Sequence, residues 1–379
     1  MRIGLDVRYL SHGLTGGVRT YVHHLARELP VAAPDDEFIY YADAKARIDL
    51  ADLPHNVSLR TLPWRSAWSS LVNDRRIGRW MERDQVDVAH FPGNYGPGGR
   101  YRLVVTVHDS LNLFPLREHL RGFGTRPRQV GMMLYLGAQT RRALRRADAI
   151  LTVSEDARHD IAQRSGRSAS RICAIHEAAS DEFQVISDAP TLRDVRARFG
   201  LLKQVVLADA LKNPQVAIDA FQALPPHLQH EAELVFFSRE ATPRPAVAAA
   251  LRNPGIRFLA RPSTSDLVLL MNVASVFVFP SWYEGFGLPL VEAMRCGTPI
   301  VASSRGSIPE VLGGAGLTFD LETPSACAIH LRTVLASEST RTELRARSLA
   351  RGRAFSWQRT AACTLQAYRR VAEPLFAQL

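Results

Sequence analysis

Short apolar runs of strand length alternate with helical patterns along nearly all of the 379 residues. Runs such as RIGLDV, RLVVTVHD, QVVLADA and SVFVFP have the near-continuous apolar character of strands that are buried on both faces. Between them lie stretches such as GGVRTYVHHLARELP, in which apolar residues recur at a spacing of three and four. This alternation predicts an α/β fold of doubly wound parallel sheets. The chain is too long for one ordinary core, so we expect two such domains.

A break in the strand pattern near residues 181–200 separates the two halves. The segment SDEFQVISDAPTLRDVRARFG has no strand pattern, contains a proline and leads to a new strand at Gln204. We therefore expect domains over residues 1–182 and 183–360, facing across a cleft, and a final helix over residues 361–379. Open parallel sheets bind ligands at the carboxyl ends of their strands. Functional residues are thus expected in the loops that follow strands.

Composition and charge exclude several classes of protein. The four cysteines are widely spaced without a CxxC pair, which argues against a disulfide framework or zinc site and favours a cytoplasmic location. No apolar run is long enough to span a bilayer, and the first residues do not resemble a signal peptide. The net charge is +10, with arginines concentrated in residues 117–146. These arginines indicate either a solvated helix face or a patch for a membrane surface or anionic acceptor. Nucleic acid is disfavoured because no binding motif accompanies the charge.

The stretch SWYEGFGLPLVEAM, residues 281–294, follows the apolar run VASVFVFP and predicts a strand, a loop and a helix. Pro289 suits the first turn of a helix that begins near Leu288, because the first helical amides have no internal partner. Those amides and the positive end of the helix dipole favour a phosphate group. Gly285 and Gly287 would let the backbone approach a ligand closely.

Two carboxylates lie on either side of this predicted phosphate site. Glu284 could accept hydrogen bonds from hydroxyl groups, and Glu292 could accept two from a vicinal diol. A ligand with sugar hydroxyls, a phosphate and a vicinal diol in that order matches a nucleotide-sugar, which has a hexose, a diphosphate and a ribose. The alternative is that Glu292 only favours the helix dipole and Glu284 is an ordinary loop acid. A dehydrogenase is disfavoured because GLTGGV lacks the Gly-x-Gly-x-x-Gly spacing.

Glu284, the intervening GFGLPLV and Glu292 resemble the Glu-x7-Glu signature of retaining glycosyltransferases with the GT-B fold, specifically glycosyltransferase family 4. Further segments resemble the family in the expected order: GGVRTYVHHL, VVTVHD, RRADAILTVSEDARHDI, LKNPQVAIDAF, GTPIVASSRGSIPEVLGGAGLTFD and FSWQRTA. The resemblance implies two Rossmann-like domains. It also implies transfer of a sugar such as mannose, glucose or rhamnose, with retention, from a nucleoside diphosphate to a hydroxyl. The acceptor would be a saccharide or a polyprenyl-linked saccharide, in bacterial polysaccharide or lipopolysaccharide assembly.

The resemblance also implies that the two domains bind different substrates. The first would bind the acceptor, the second would bind the nucleotide-sugar, and the C-terminal helix would return to the first. No metal or other cofactor is expected, since helix amides and cations would stabilise the diphosphate.

Residue roles follow from the same resemblance. Glu284 would bind donor-sugar hydroxyls and Glu292 the ribose, while His108 would contact the transferred sugar and Lys212 would stabilise the leaving diphosphate. The backbone contributors would be Gly16 and Gly17, which let the first loop close over the diphosphate, together with Gly285, Phe286, Gly287 and Leu288.

The loop that contains Lys212 departs from the family pattern. Ala208 stands where glycine is expected, and Asp209 falls near the usual place of an arginine. Either another arginine supplies the missing charge, with Arg239 and Arg261 the candidates by loop position, or the enzyme is slow or altered in donor choice. The altered loop makes a non-catalytic nucleotide-sugar-binding protein one competing hypothesis. A nucleotide-sugar epimerase on the same fold is another.

Overall fold

The computed structural model describes residues 1–12, 16–46, 48, 50, 53–115 and 127–373. The chain divides into two compact units: Met1–Glu177 together with the chain from Trp357 onward, and Ala178–Ser356. These boundaries lie a few residues before the expected ones at 182 and 360. The sequence between the units has no strand pattern, so it could locate the boundary only approximately.

The described part of the first unit forms a seven-stranded parallel sheet with the strand order β3-β2-β1-β4-β5-β6-β7. Its strands are β1 Arg2–Asp6, β2 Glu37–Asp43, β3 Val57–Leu62, β4 Val88–Phe91, β5 Arg102–Thr106, β6 Ala149–Thr152 and β7 Ile172–Ala174. Its first five helices are α1 Arg8–Ser11, α2 Gly17–Ala32, α3 Ala67–Arg83, α4 Pro127–Arg146 and α5 Glu155–Ser165. Short 3-10 turns cover Leu111–Leu113 and Ala169–Arg171.

The second unit forms a six-stranded parallel sheet over its described residues, with the order β10-β9-β8-β11-β12-β13. Its strands are β8 Gln204–Asp209, β9 Ala232–Ser238, β10 Ile256–Ala260, β11 Ala274–Phe279, β12 Ile300–Ser303 and β13 Leu317–Phe319. Its helices are α6 Ala189–Phe199, α7 Pro214–Gln222, α8 Pro226–Glu231, α9 Pro245–Ala250, α10 Thr264–Val273, α11 Leu288–Cys296, α12 Ile308–Leu312, α13 Ser325–Ala336 and α14 Glu338–Gly352.

The strand order reverses once in each sheet, between β1 and β4 in the first and between β8 and β11 in the second. At such a switch point the connections leave in opposite directions and open a crevice at the carboxyl ends of the two strands. The predicted α/β architecture of two doubly wound parallel sheets is therefore confirmed. The same topology identifies where each unit is expected to bind a ligand.

The last helix, α15 Trp357–Ala372, packs within the first unit against α2 and the central strands. The indole of Trp357 stacks on the ring of His24 at 4.7 Å between centroids. The hydroxyl of Tyr368, which is fully buried, lies 2.6 Å from Nδ1 of His90 in β4. Within the described part of the chain, no helix has the length and apolarity needed to cross a membrane.

Candidate active site

Two loops begin side by side at the switch point of the second sheet. Strands β8 and β11 are hydrogen-bonded neighbours, with Ala208 opposite Val278, so the segments after Asp209 and Phe279 leave the same edge. This adjacency brings Lys212 and Glu284 together although the sequence separates them widely. The Nζ atom of Lys212 lies 2.6 Å from Oε1 of Glu284.

The Glu284 side chain is positioned by contacts to one carboxylate oxygen, Oε1, and the other oxygen can accept a hydrogen bond from a ligand. Its Oε1 atom also accepts a hydrogen bond from the Ser281 hydroxyl at 2.7 Å, and its side chain is 11% exposed. The Ser307 hydroxyl donates to the Glu284 carbonyl oxygen at 3.1 Å, which anchors the backbone. No described residue donates to Oε2. That oxygen can therefore accept a hydrogen bond from a ligand.

Helix α11 begins where the sequence predicts, with Pro289 in its first turn. Gly287 caps it with φ +96°, and an added Cβ there would lie 3.2 Å from Cδ1 of Leu290. Phe286 is buried, and its carbonyl oxygen accepts from the Ser307 hydroxyl at 2.9 Å. Among the described residues, none accepts a hydrogen bond from the amides of Gly287 or Leu288. These amides are suited to bind an anion.

Glu292 lies just beyond the first turn of α11 and is half-buried. Burial raises the pKa of this carboxyl to about 7; the charge of Arg239 acts to lower it and that of Asp209 to raise it. No hydrogen bond or ion pair links the Glu292 carboxylate to another described residue. A partly desolvated carboxylate without a partner is costly. A pair of ligand hydroxyls would supply the missing hydrogen bonds.

The charges around Glu292 distinguish the two candidate arginines. Arg239 follows β9, the neighbour of β8, and its charge acts on both Glu292 and Asp209. Arg261 follows the edge strand β10, and its charge is not among the main influences on the pKa of either carboxyl. Both side chains are exposed. Of the two candidate arginines, Arg239 is thus the one whose charge acts on the carboxyls of this site.

Asp209 itself is buried at the end of β8, where an arginine was expected. It accepts a hydrogen bond from the Leu211 amide at 2.8 Å, so it shapes the short loop that presents Lys212. Burial raises its pKa, against the opposing effect of that amide and of Lys212 and Arg239. Sequence analysis noted Asp209 only as a departure from the family pattern.

His108 lies in the first unit just after β5 and is buried. Its Nδ1 atom is 3.1 Å from Oε1 of Glu177, and its Nε2 atom is 2.9 Å from the carbonyl oxygen of Pro92. Burial acts to lower the pKa of His108, but the hydrogen bond and charge of Glu177, with the Pro92 carbonyl, raise it overall. Both ring nitrogens face acceptors, a geometry that favours the doubly protonated imidazolium, which can donate from each nitrogen.

The predicted glycine loop of the first unit is described only in part, since residues 13–15 lie outside the described residues. Gly16 precedes α2 with φ +130°, a conformation that favours glycine, and Gly17 is the first helical residue. Of the arginine-rich segment 117–146, residues 117–126 also lie outside the described residues, and the rest belongs to α4. No group of three or more potential metal ligands occurs in the described part of the chain.

Sequence reasoning missed several residues that complete these arrangements. Ser281 and Ser307 fix Glu284, while Glu177 fixes His108, whose ring also meets that of Tyr21 edge-on at 4.9 Å between centroids. Ser281 lies within the segment that carries the signature. Ser307 lies within GTPIVASSRGSIPEVLGGAGLTFD, which resembles the family, but nothing in that segment indicates a contact with Glu284. Glu177 is distant in sequence from His108 and lies in no segment that sequence analysis singled out.

Two family models together match most of the chain. Residues 15–183 match the family described as Glycosyltransferase Family 4, and residues 205–351 match Glycosyl transferases group 1. The O-antigen chain mannosyltransferase B of Escherichia coli is 32% identical over 97% of this chain and 100% of that protein. The MMP alpha-(1->4)-mannosyltransferase of Mycolicibacterium hassiacum is 28% identical over 97% of this chain and 98% of that protein.

Solved structures agree in fold. The structure of WaaG, a glycosyltransferase involved in lipopolysaccharide biosynthesis, superimposes with a TM-score of 0.72 at 14% identity, covering 99% of this chain and 100% of that one. Sucrose-phosphate synthase from Thermosynechococcus elongatus gives a TM-score of 0.73 at 18% identity, covering 98% of each chain. The sequence and the fold together show that this chain belongs to glycosyltransferase family 4 and is a glycosyltransferase with the GT-B fold.

Proposed function

We propose that this protein transfers a mannosyl group from a nucleoside-diphosphate donor to a hydroxyl of a saccharide or lipid-linked acceptor, with retention, in the assembly of a bacterial polysaccharide. Mannose is favoured over glucose or rhamnose because two relatives that align along almost the whole chain are named mannosyltransferases. The polysaccharide setting is supported by the name of the first, an O-antigen enzyme.

The arrangement of Glu284, the start of α11 and Glu292 supports a nucleoside-diphosphate sugar as the donor. Glu284 and Glu292 lie on either side of a helix start with open amides, and each carboxylate retains hydrogen-bonding capacity that the described protein does not use. In the proposal, Glu284 accepts from the sugar hydroxyls, the Gly287 and Leu288 amides donate to the diphosphate, and Glu292 accepts from the ribose diol. Each group matches one part of the donor in the order in which those parts are connected.

The chemical step places negative charge on the departing nucleoside diphosphate. Lys212 and Arg239 are the cations that would stabilise this charge in the transition state, in place of a metal ion. Lys212 already contacts Glu284 at 2.6 Å, so it can interact with both the sugar-binding acid and the diphosphate. We expect the acceptor hydroxyl to attack from the face of the leaving group, assisted by that phosphate, which gives retention.

His108 acts in this proposal through position and charge. Both ring nitrogens are already committed to Glu177 and Pro92, so the ring has no lone pair with which to remove a proton. An imidazolium beside the reacting sugar would polarise a hydroxyl or the developing leaving group. The proposal requires His108 to approach the donor sugar in the reacting complex.

A donor panel tests this function. Purified protein is incubated with GDP-mannose, UDP-glucose and dTDP-rhamnose, and both thermal stabilisation and release of nucleoside diphosphate are measured. We expect GDP-mannose to stabilise the wild type and Glu343→Ala, an exposed control acid, but not Glu292→Ala. If wild type and Glu292→Ala respond identically to every donor, the assigned ribose contact is wrong. Stabilisation without turnover across an acceptor panel would instead support a non-catalytic binding protein.

A further inference from the structure

An open groove of ≈ 690 Å³ lies in the first unit, between α3, α4 and the loop at residues 95–98. We call it the α3–α4 groove and define its outer part by six lining residues: Trp68, Val72, Arg75, Met132, Arg142 and Arg146. A smaller pocket of ≈ 150 Å³ lies beneath, beside the switch point between β1 and β4. The two share Asp74, Tyr95, Tyr135 and Gln139, so they form one continuous site.

The floor of this site is polar, and its side chains are linked by hydrogen bonds and ion pairs. Asp74 accepts from the Tyr135 hydroxyl at 3.1 Å, and the Gln139 amide lies 3.3 Å from the same hydroxyl. The buried guanidinium of Arg8 fixes Asp74 at 2.9 Å and is itself bound by Asp6. Carboxylate, phenol and amide groups held in this way are suited to bind the hydroxyls of a sugar.

The floor also leads toward His108. Asn94 lines the smaller pocket, and its Oδ1 atom accepts a hydrogen bond from the His108 amide at 2.9 Å. A sugar in the pocket would therefore lie close to the residue that the proposed function places at the reacting centre.

The outer part of the groove is cationic. Arg75 on α3 and Arg142 and Arg146 on α4 line it, and none of these three forms an ion pair or hydrogen bond with another described residue. Asp74 is the one acid among the described residues that line the groove, and Asp6 also lines the smaller pocket; Arg8 already pairs with both. Unpaired guanidinium groups favour phosphate, which they can bind through two parallel hydrogen bonds.

The same outer part exposes large apolar side chains. Trp68 is 75% exposed and Met132 57% exposed, with Val72 also on the surface. The outer part of the groove therefore presents both apolar side chains and unpaired arginines. Such a surface is complementary to a molecule that carries a phosphate and a hydrocarbon chain.

We propose that the α3–α4 groove binds the acceptor as a phosphate-linked lipid saccharide. The terminal sugar lies over Asp74, Tyr135 and Gln139, the phosphate contacts the arginines of the outer part, and the first part of the lipid chain lies over Trp68 and Met132. This inference rests on the proposed function and names the acceptor class for it. The sugar, the phosphate and the lipid chain of the acceptor would thus contact, in that order, the polar floor, the arginines of the outer part and the exposed apolar side chains of the outer part.

Calorimetric titration of the full chain with farnesyl phosphate tests the proposal, with methyl phosphate and farnesol as the separate parts of the probe. We expect farnesyl phosphate to bind more tightly than either part. The double variant Arg142→Ala/Arg146→Ala should weaken its binding about tenfold or more, since it removes two guanidinium groups that would form charge-assisted hydrogen bonds with the phosphate. The matched control, Arg76→Ala/Arg145→Ala, removes exposed arginines of the same two helices outside the lining and should bind like wild type. Trp68→Gln/Met132→Gln should bind farnesyl phosphate no better than methyl phosphate.

Three results would overturn the proposal. Equal binding of methyl phosphate and farnesyl phosphate would show a simple anion site. Equal weakening in both arginine double variants would show a general effect of surface charge. Tighter binding of phosphatidylglycerol vesicles than of farnesyl phosphate, lost in both arginine variants, would show a membrane surface instead of an acceptor groove.

Donor binding separates failure of this inference from failure of the proposed function. Every variant should keep the GDP-mannose response of wild type, which also shows that it is folded. If wild type binds GDP-mannose but not farnesyl phosphate, the groove assignment fails alone. If it binds farnesyl phosphate but no nucleotide-sugar, the groove assignment stands and the donor site is wrong.

Discussion

The Nδ1 atom of His108 lies 3.1 Å from Oε1 of Glu177, the last residue of the first unit before the chain enters the second. Its other nitrogen faces the Pro92 carbonyl at 2.9 Å. The neighbouring His90, in contrast, has its pKa lowered to about 3, by burial and then by the charge of His108. The pKa values of these two buried histidines are thus shifted in opposite directions, because His108 has a carboxylate partner whereas the ring nitrogens of His90 face the hydroxyls of Tyr368 and Thr106.

Replacement of Glu177 by Gln should convert His108 to the neutral form near neutral pH. The groups whose charges act on the ring are Glu177, Asp109 and His90, and Glu177 contributes most to the raised pKa. Nitrogen chemical shifts of labelled imidazole report the protonation state directly. Wild type should show two protonated nitrogens at pH 7 and Glu177→Gln one. The variant Tyr368→Phe, which alters only the partner of His90, should leave the His108 signal unchanged.

The same pair predicts a sign for the pH dependence of stability. The pKa of His108 is higher in the folded state than its ordinary value of 6.5, so the fold gains stability from protonation. This gain is complete below pH 6.5 and is lost as the pH rises through the raised pKa. The difference in unfolding free energy between wild type and Glu177→Gln should therefore shrink from pH 6 to pH 9. A difference that grows with pH would contradict the charged pair.

The ionised carboxylate of Glu292 should lower the stability of the free protein, although the proposed function requires it to bind the donor. Its pKa is raised from 4.5 to about 7 in the folded protein, so ionisation destabilises the fold, and stability attributable to this group falls as the pH rises from 4.5 to 7. Glu292→Gln should stabilise the free protein at pH 8 by about 3 kcal/mol at most, since one pKa unit corresponds to about 1.4 kcal/mol. The measurement is denaturant unfolding at pH 5 and pH 8. A variant less stable than wild type at pH 8 would show that the carboxylate has a partner within the protein.

Lys212→Met should lower kcat about 100-fold, because the charge of the leaving diphosphate loses a stabilising cation in the transition state. The control is Lys203→Met, whose lysine precedes β8 at the opposite end of the strand. Steady-state kinetics with saturating acceptor separate kcat from KM. A change confined to KM would mean that Lys212 binds donor and transition state equally.

Arg239→Ala should weaken donor binding, whereas Arg261→Ala should not. The charge of Arg239 acts to lower the pKa values of both Glu292 and Asp209, so its removal should raise the pKa of Glu292 further. Titration of GDP-mannose against the two variants, from pH 6 to pH 9, measures both effects. Equal losses in the two variants would mean that neither arginine occupies a specific place at the site.

Much of the fold was predictable because central parallel strands are apolar on both faces. Strands β1, β5, β8 and β11 coincide with the apolar runs RIGLDV, RLVVTVHD, QVVLADA and SVFVFP. The edge strand β3 was not recognised, since Val57–Leu62 exposes Leu59, Arg60 and Thr61 and so lacks apolar continuity. Strands β7 and β13 cover only three residues each, too few to show a pattern.

The candidate site was predictable only where its residues are close in sequence. Glu284 and Glu292 belong to one strand-loop-helix segment, so local spacing was enough to single them out. The contact between Lys212 and Glu284 depends on the adjacency of β8 and β11, and the choice of Arg239 over Arg261 depends on the place of β9 in the sheet. Sheet order is a tertiary property, and a single sequence does not specify it.

The central claim is that Glu284 and Glu292 bind the two ends of a nucleotide-sugar. Isothermal titration of GDP-mannose at pH 8 against wild type, Glu284→Gln, Glu292→Gln and the control Glu343→Gln tests it most directly. The account predicts that each site variant weakens binding about tenfold or more and that the control binds like wild type. Unchanged affinity in both site variants would contradict it.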